Sequence, residues 1–175
     1  ILAAETAQSD DEIATALEVF DLEPLPTFGF NNTYAIAVTE NIAAQFELSR
    51  ISELQSHREL RFGLSHEFRD RPDGWPGLKT IYRLPQDSLG IEHGLAYQAL
   101  LEKEIDVTDA YSTDGDLLRY RLVVLEDDLG FFPSYHALPL VRRDLDPEAK
   151  ATLRELANRL NADSMRALNA KVVVD

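Results

Sequence analysis

The 175-residue sequence contains no cysteine, and it has only one methionine and one tryptophan. The absence of cysteine excludes disulfide bonds, thiolate nucleophiles and metal sites built on cysteine sulfur. The sequence also lacks an apolar run close to the roughly 20 residues that a membrane-spanning helix needs. One of its longest apolar tracts, residues 122–125, is followed directly by three acidic residues. The sequence therefore predicts no membrane-spanning segment.

Basic residues are also scarce. Lysine and arginine number 17 against 31 aspartates and glutamates, which gives a formal net charge of −14. Binding to nucleic-acid phosphates needs a basic surface, so this class of function is excluded. The acidic charge favours solubility and modestly raises the local concentration of a cationic ligand. Hydrophobic residues make up 45% of the chain, as is typical of a packed globular protein.

Helical and strand patterns alternate along the chain. Residues 10–20 have helical spacing, residues 117–125 carry the strongest strand pattern, and Asp146-Pro147 is a favoured helix start. The polar segment 66–77, which is rich in proline and glycine, is predicted to be a loop. Alternation of strands with short helices predicts the α/β class with a mainly parallel sheet.

Three tyrosines share an unusual setting. Tyr34, Tyr111 and Tyr135 each lie at a predicted strand boundary, flanked by small or polar residues. Converging tyrosine rings offer negative π-density to a quaternary ammonium group, and each hydroxyl can fix the orientation of its ring. The alternative is that these are ordinary half-buried tyrosines that never meet. Spacing alone leaves both interpretations open.

Five segments occur in an order that resembles the substrate-binding proteins of ABC importers for glycine betaine, choline, carnitine and related osmoprotectants. They are FGFNNTYA at 28–35, ISEL at 51–54, EFRDRPDG at 67–74, DVTDAYSTDG at 106–115 and DDLGFFPSY at 127–135. The resemblance extends from about residue 10 to 170. It implies an α/β, periplasmic-binding-protein-like (type II) two-lobe fold with one lobe incomplete. Residues 1–29 and 135–175 are expected to form partial lobe 1, and residues 30–134 lobe 2.

The resemblance also implies a ligand site between the lobes. Its residues are Asn32, Thr33, Tyr34, Arg71, Tyr111, Ser112, Thr113 and Tyr135. The three tyrosines are expected to box a trimethylammonium head, with an oxygen of Asn32 directed at the methyl groups. Arg71 matches the family's carboxylate-binding arginine, a role that suits its planar fork of donors. The open alternatives are that Arg71 pairs with Asp70 or Asp73 at the surface and that the three hydroxyl residues cap turns.

One part of the family pattern is not found in this sequence. Family members begin with a further stretch, about half a lobe long, in which a Tyr-Thr-Gly-Thr-like segment supplies another cage tyrosine. Residues 1–8 do not match it. We therefore expect either a fragment of a longer protein or a partner chain that completes lobe 1.

The implied function is the ligand-binding component of an ABC importer for a quaternary ammonium compound: glycine betaine, choline or carnitine. The resemblance implies no enzymatic activity, no cofactor and no metal. It also implies a permease subunit as partner and an extracytoplasmic location, periplasmic or tethered to the outer face of the inner membrane.

Two other functions remain open at this point. A ligand-sensing regulatory module would need the same cage. A hydrolase is the other candidate, because the sequence contains four histidines (His57, His66, His93 and His136) and neighbours such as Glu67. However, the sequence has no H-E-x-x-H, G-x-S-x-G or P-loop motif.

Overall fold

A computed structural model describes residues 10–173 and divides them between two compact units. Unit 1 contains the described part of Ile1–Phe30 together with His136–Asn161. Unit 2 contains Asn31–Tyr135 and the described part of Ala162–Asp175. No helix within residues 10–173 is both long and apolar enough to cross a lipid bilayer.

Short helices and strands alternate along the chain. The strands are Leu22–Pro24 (β1), Tyr34–Thr39 (β2), Phe62–Ser65 (β3), Ser88–Ile91 (β4), Val107–Tyr111 (β5), Leu122–Leu125 (β6) and Leu140–Arg142 (β7). The α-helices are Asp10–Glu18 (α1), Glu40–Gln45 (α2), His66–Asp70 (α3), Trp75–Ile81 (α4), His93–Leu101 (α5), Gly115–Arg119 (α6), Pro147–Arg154 (α7) and Ala162–Val173 (α8). A 3₁₀ helix spans Ile51–Ser56.

Unit 2 is built on a five-stranded sheet in the order β4-β3-β5-β2-β6. Strand β3 pairs in parallel with β4 and β5, whereas β2 pairs antiparallel with β5 and β6. The predicted α/β class is confirmed, and the sheet is mixed: two of its four strand pairings are parallel and two are antiparallel, because β2 runs opposite to the other four strands. The βαβ rule governs strands joined by a crossover helix, and β2 enters the sheet between two strands that follow it much later in the chain.

The core of unit 2 lies on both faces of this sheet. On one face, Ile36, Val38 and Val107 belong to the larger apolar cluster. On the other face, Ala37 and Ala110 belong to a second cluster that includes residues of α5. Strand β2 is buried from residue 34 to residue 38, because helices cover both sides of it. Burial on both faces explains why the sequence of β2 is a continuous apolar run rather than an alternation of apolar and polar residues.

Two predicted elements differ from the structure. The predicted strand at 117–125 is a strand only from Leu122. Residues 117–119 belong to helix α6, and Arg121, which lies between this helix and β6, has the left-handed conformation (φ 51°). The predicted loop at 66–77 contains α3, whose N-terminus is capped by Ser65. Ser65 Oγ accepts a hydrogen bond from the amide of Phe68, a fully buried residue that anchors this short helix.

Unit 1 contains the antiparallel pair β1–β7, which aligns Glu23 with Val141. The predicted helix start at Asp146-Pro147 is confirmed, because Asp146 Oδ1 accepts the amides of Glu148 and Ala149 at 2.9 and 3.1 Å.

The C-terminal helix α8 packs on α6 within unit 2. Its Arg166 donates two hydrogen bonds to the carbonyl of Ser112, and Asn169 donates one to the carbonyl of Thr113. Residues 162–175 were expected in partial lobe 1, whereas the described part of this segment groups with unit 2. The boundaries also differ by one residue at positions 30 and 135. The assignment of residues to lobes stays a prediction.

We predict that Gly115→Ala destabilises unit 2. A β-carbon at this position would lie 2.5 Å from the backbone nitrogen of Ala170, so α8 would have to move. Overpacking of this kind costs about 1–3 kcal/mol of unfolding free energy, measurable by chemical denaturation. The control is Gly94→Ala in α5, where the nearest atom is the flexible carboxylate end of Glu92. That substitution should be neutral or stabilising by up to about 1 kcal/mol. Equal stability of the two variants would contradict the prediction.

Candidate functional site

A small cavity lies within unit 2 and is lined mainly by aromatic and charged side chains. Its lining residues are Asn32, Tyr34, Glu67, Arg71, Tyr111 and Tyr135, and we call it the tyrosine cavity. Its volume is about 210 Å³. Pockets for drug-sized molecules are usually about 300–1,000 Å³, so this cavity suits a small ligand.

Two of the three tyrosines are brought together by strand pairing. Tyr34 begins β2 and Tyr111 ends β5, and the antiparallel register places them directly opposite each other. Opposite residues in an antiparallel pair lie on the same face, and here the ring centroids are 5.0 Å apart with an angle of 27° between the planes. Tyr34 is 5% exposed, and the centroid of its ring also lies 4.9 Å from that of Phe68. Burial, and then a hydrogen bond with Tyr111, raise the pKa of Tyr34, so its ring stays neutral.

Tyr135 reaches the same cavity from the segment that follows β6, and polar contacts fix it at both ends. Its amide donates to Asn31 Oδ1 at 2.6 Å, and its hydroxyl donates to Asp73 Oδ2 at 2.5 Å. Asp73 in turn accepts Nε and Nη2 of Arg71, both at 2.8 Å. These bonds, led by the one from Arg71, lower the pKa of Asp73 to about 2, so the carboxylate is charged at neutral pH.

Helix α3 positions the charged residues of the cavity. Glu67 and Arg71 are one helical turn apart, and Arg71 Nη1 lies 3.5 Å from Glu67 Oε1. The guanidinium carbon of Arg71 is 5.9 Å from the centroid of the Tyr34 ring, and the Tyr111 hydroxyl is 3.4 Å from Glu67 Oε2. One arginine therefore stands beside two carboxylates, Glu67 and Asp73. The local balance is one negative charge, which favours a cationic ligand.

The remaining predicted site residues connect three chain segments. The Ser112 hydroxyl donates to the carbonyl of Asn31, and the Thr113 hydroxyl donates to Asn32 Oδ1 at 2.7 Å. The Thr33 hydroxyl donates to the carbonyl of Pro133. These three hydroxyls hold the segments at 31–33, 112–113 and 133 together, and none of the three residues lines the cavity. Their proposed contact with a ligand stays a prediction.

Five of the eight predicted residues thus line one cavity: Asn32, Tyr34, Arg71, Tyr111 and Tyr135. The pairing of Arg71 with Asp73, one of the two alternatives, is present in the structure. Glu67 also lines the cavity, although the sequence named it only as a neighbour of the histidines in the hydrolase interpretation and not as a ligand-binding residue. The sequence signal that could have found Glu67 is its spacing of four residues from Arg71. This spacing brings two side chains together in a helix, but the segment was predicted to be a loop.

A network of ionisable groups lies behind Tyr111. His93 Nε2 is 3.2 Å from Asp114 Oδ2, and the amide of Tyr111 and the hydroxyl of Tyr97 donate to the same oxygen. The His93 ring is 5.3 Å from the Tyr111 ring. The hydrogen bond to Asp114 raises the pKa of His93 above its usual 6.5, against the lowering effect of burial. Burial raises the pKa of Asp114, but the bonds from His93 and Tyr97 bring it below its ordinary value.

A larger cavity of about 460 Å³ lies elsewhere in unit 2, near Thr39 at the other end of β2. Its lining mixes apolar residues with charges of both signs, and its Arg61 is already bound to Asp106 at 2.9 Å. No set of like groups converges there, so we place the candidate site at the tyrosine cavity. Within residues 10–173, no group of three or more potential metal-ligating side chains is assembled.

Solved structures identify the fold class. A crystal structure of a glycine betaine/carnitine/choline ABC transporter aligns with a TM-score of 0.82 and 32% identity, covering 97% of this chain and 66% of that one. A choline-binding protein of an ABC transporter, solved with choline, aligns with a TM-score of 0.55 and 14% identity over 95% of this chain, which shows similarity of fold alone. The chain therefore has the α/β fold of periplasmic-binding-protein-like ligand-binding domains.

Sequence comparison then gives the family. Residues 4–175 match the substrate-binding domain of ABC-type glycine betaine transport systems, and the chain belongs to this family. Members of this family are substrate-binding proteins of transporters and not enzymes. This confirms the expectation of no enzymatic activity, and the hydrolase interpretation is not supported.

Three curated relatives illustrate the range of the family. The chain is 34% identical to a glycine-betaine-binding protein of Pseudomonas aeruginosa, over 83% of this chain and 52% of the relative. It is 32% identical to the carnitine transport binding protein OpuCC of Listeria monocytogenes, over 82% and 48%. It is 33% identical to the ergothioneine transport permease/ergothioneine binding protein EgtU of Helicobacter pylori, over 89% and 29%. The chain thus spans about half the length, or less, of these relatives.

We predict that the pair between His93 and Asp114 makes stability depend on pH. The folded protein binds the His93 proton more tightly than the unfolded chain does, because the pKa is raised on folding. The resulting stabilisation is fully present below about pH 6.5 and is lost as the pH rises through the folded pKa. Chemical denaturation at a series of pH values should show this loss for the wild type and not for His93→Gln. Parallel curves for the two proteins would contradict the prediction.

Proposed function

We propose that the tyrosine cavity binds the head of a quaternary ammonium compound and that the chain is the capturing domain of an ABC importer. The observation that carries the proposal is the convergence of three tyrosine rings on one small cavity with a negative charge balance. A methylated nitrogen has no N–H to donate, so it binds best to aromatic faces and to oxygens that contact its polarised methyl groups. Asn32 and Glu67 supply such oxygens at the cavity wall.

The substrate class proposed is glycine betaine, carnitine or choline. The names of the relatives support this class, since they include a carnitine-binding and a glycine-betaine-binding protein. Arg71 is the proposed partner of a ligand carboxylate. Asp73 accepts from Nε and from one N–H of Nη2, so three of the five N–H groups of the guanidinium are not bonded to Asp73, and Nη1, which carries two of them, faces Glu67 at 3.5 Å.

We also propose that the protein works at the outer face of the membrane with an ABC permease subunit. Support comes from the family, whose members are extracytoplasmic substrate-binding proteins of importers.

The first test is calorimetric titration of the full-length protein with choline. Tyr111→Ala should weaken binding by about 0.5–2 kcal/mol, or roughly 2- to 30-fold, because one cation–π contact is lost. The control is Tyr120→Ala, which removes a partly buried tyrosine outside the cavity. Ethanolamine, which has the same skeleton without the methyl groups, should bind more weakly than choline. Failure of the wild type to bind choline, glycine betaine and carnitine would overturn the proposed function.

A second prediction concerns the ligand carboxylate. Arg71→Ala should weaken glycine betaine and carnitine by about 10- to 150-fold, the usual effect of removing a charged hydrogen bond of about 1.5–3 kcal/mol. Choline should bind unchanged or more tightly, because Glu67 and Asp73 lose their cationic neighbour. The control is Arg69→Ala in α3, two residues earlier, since Arg69 bonds Ser88 outside the cavity. Equal losses for choline and glycine betaine would contradict the assignment of Arg71 to the carboxylate.

A further inference from the structure

An ionisable side chain lies behind the tyrosine cavity without lining it. His93 is the first residue of α5, and the centroid of its ring lies 5.3 Å from that of Tyr111. The ring of Tyr34 packs on the same Tyr111 ring, with 5.0 Å between the centroids. His93 is absent from the cavity lining. A ligand in the cavity would therefore be separated from His93 by the lining residues and could act on it only without direct contact.

Charged and titratable groups face His93 from several elements. Asp114, at the start of α6, lies 3.2 Å from Nε2, and Asp109 of β5 lies 3.9 Å from Nδ1. Glu92 adds a negative charge from the N-cap of α5. Two phenols complete the surroundings: Tyr97 on α5 and Tyr111 at the end of β5.

The two carboxylates favour the protonated ring. Only an imidazolium has an N–H on both nitrogens, so the neutral ring leaves either Asp109 or Asp114 facing a lone pair. Asp109 is 1% exposed and is held by the amide and hydroxyl of Ser65 at 2.6 and 2.7 Å, so it cannot turn away easily. The hydrogen bond to Asp114 raises the pKa of His93 above its ordinary value, so the ring keeps its proton to a higher pH than a free histidine does.

We propose that His93 links ligand affinity to pH: its positive charge behind Tyr111 opposes a cation in the tyrosine cavity, and loss of its proton strengthens binding. This inference rests on the proposed function. Two like charges next to the same aromatic ring repel, and their coupling is reciprocal, so a bound cation also promotes release of the proton. For two charges about 10 Å apart and an effective dielectric constant between about 20 and 80, the repulsion that is removed corresponds to a gain in affinity of about 2- to 20-fold.

The sign of this effect separates it from a structural role. As the pH rises through the pKa of His93, the protein loses stability because the folded state no longer holds the proton more tightly. If His93 only kept Tyr111 in place, affinity would fall together with stability. The electrostatic role predicts that affinity rises while stability falls.

The test is calorimetric titration of the full-length protein with choline chloride from about pH 5.5 to about pH 9. Choline keeps its charge over this range and has no carboxylate. Wild-type affinity should rise about 2- to 20-fold across the range. His93→Gln, whose amide is neutral and can still donate to Asp114, should bind choline with little pH dependence and with the wild-type affinity of high pH. The matched control, His57→Gln, changes a histidine outside the cavity and should keep the wild-type profile.

A second measurement needs no variant. Repeating the wild-type titration near neutral pH in buffers of different ionisation enthalpy should reveal net proton release when choline binds. Wild-type affinity that is flat or falls with pH, a His93→Gln profile like that of the wild type, or binding without proton release would each overturn the inference. These results would leave the proposed function standing. Absence of binding by choline, glycine betaine and carnitine at every pH would instead overturn the proposed function, and this inference with it.

Discussion

The antiparallel pairing of β2 with β5 is the constraint on which the candidate site depends. It sets Tyr34 opposite Tyr111, and the same register places Ile36 opposite Asp109 and Val38 opposite Val107 in the sheet. A slip of one residue would turn each of these side chains to the other face. The register is protected because both faces of β2 are buried, so a slip would also place large residues where Ala35 and Ala37 now fit.

The third tyrosine of the cavity is positioned by charged groups and not by strand pairing. Asp73 connects Arg71 with the hydroxyl of Tyr135, so the third ring is held by an ion pair rather than by apolar packing. Tyr135 is 39% exposed, and without these bonds its ring would have many orientations. The bonds that orient it also leave a net negative charge around the rings, since Glu67 lies on the other side of Arg71. The orientation of the Tyr135 ring and the proposed preference for a cation therefore have the same cause.

The predictions from sequence succeeded where local chemistry decides structure. Asp146 caps α7 as predicted, because an aspartate followed by proline satisfies the first amides of a helix within the segment itself. The strand prediction was wrong at residues 117–121, because the apolar and basic residues there fit a strand or a helix equally well. Contact with α8, which lies more than 40 residues later in the chain, favours the helix. The predictions from sequence also missed α3, since its polar residues hide one buried anchor, Phe68.

By itself, the sequence determined the α/β class, the exclusion of cysteine chemistry and of nucleic-acid binding, and the identity of the tyrosines worth testing. These follow from composition, from local pattern and from motifs in a fixed order. Only the tertiary structure decided that β2 runs antiparallel to its neighbours, that Glu67 joins the cavity, and that His93 stands behind Tyr111. Each of these depends on contacts between residues far apart in the chain, and short-range spacing carries no record of such contacts.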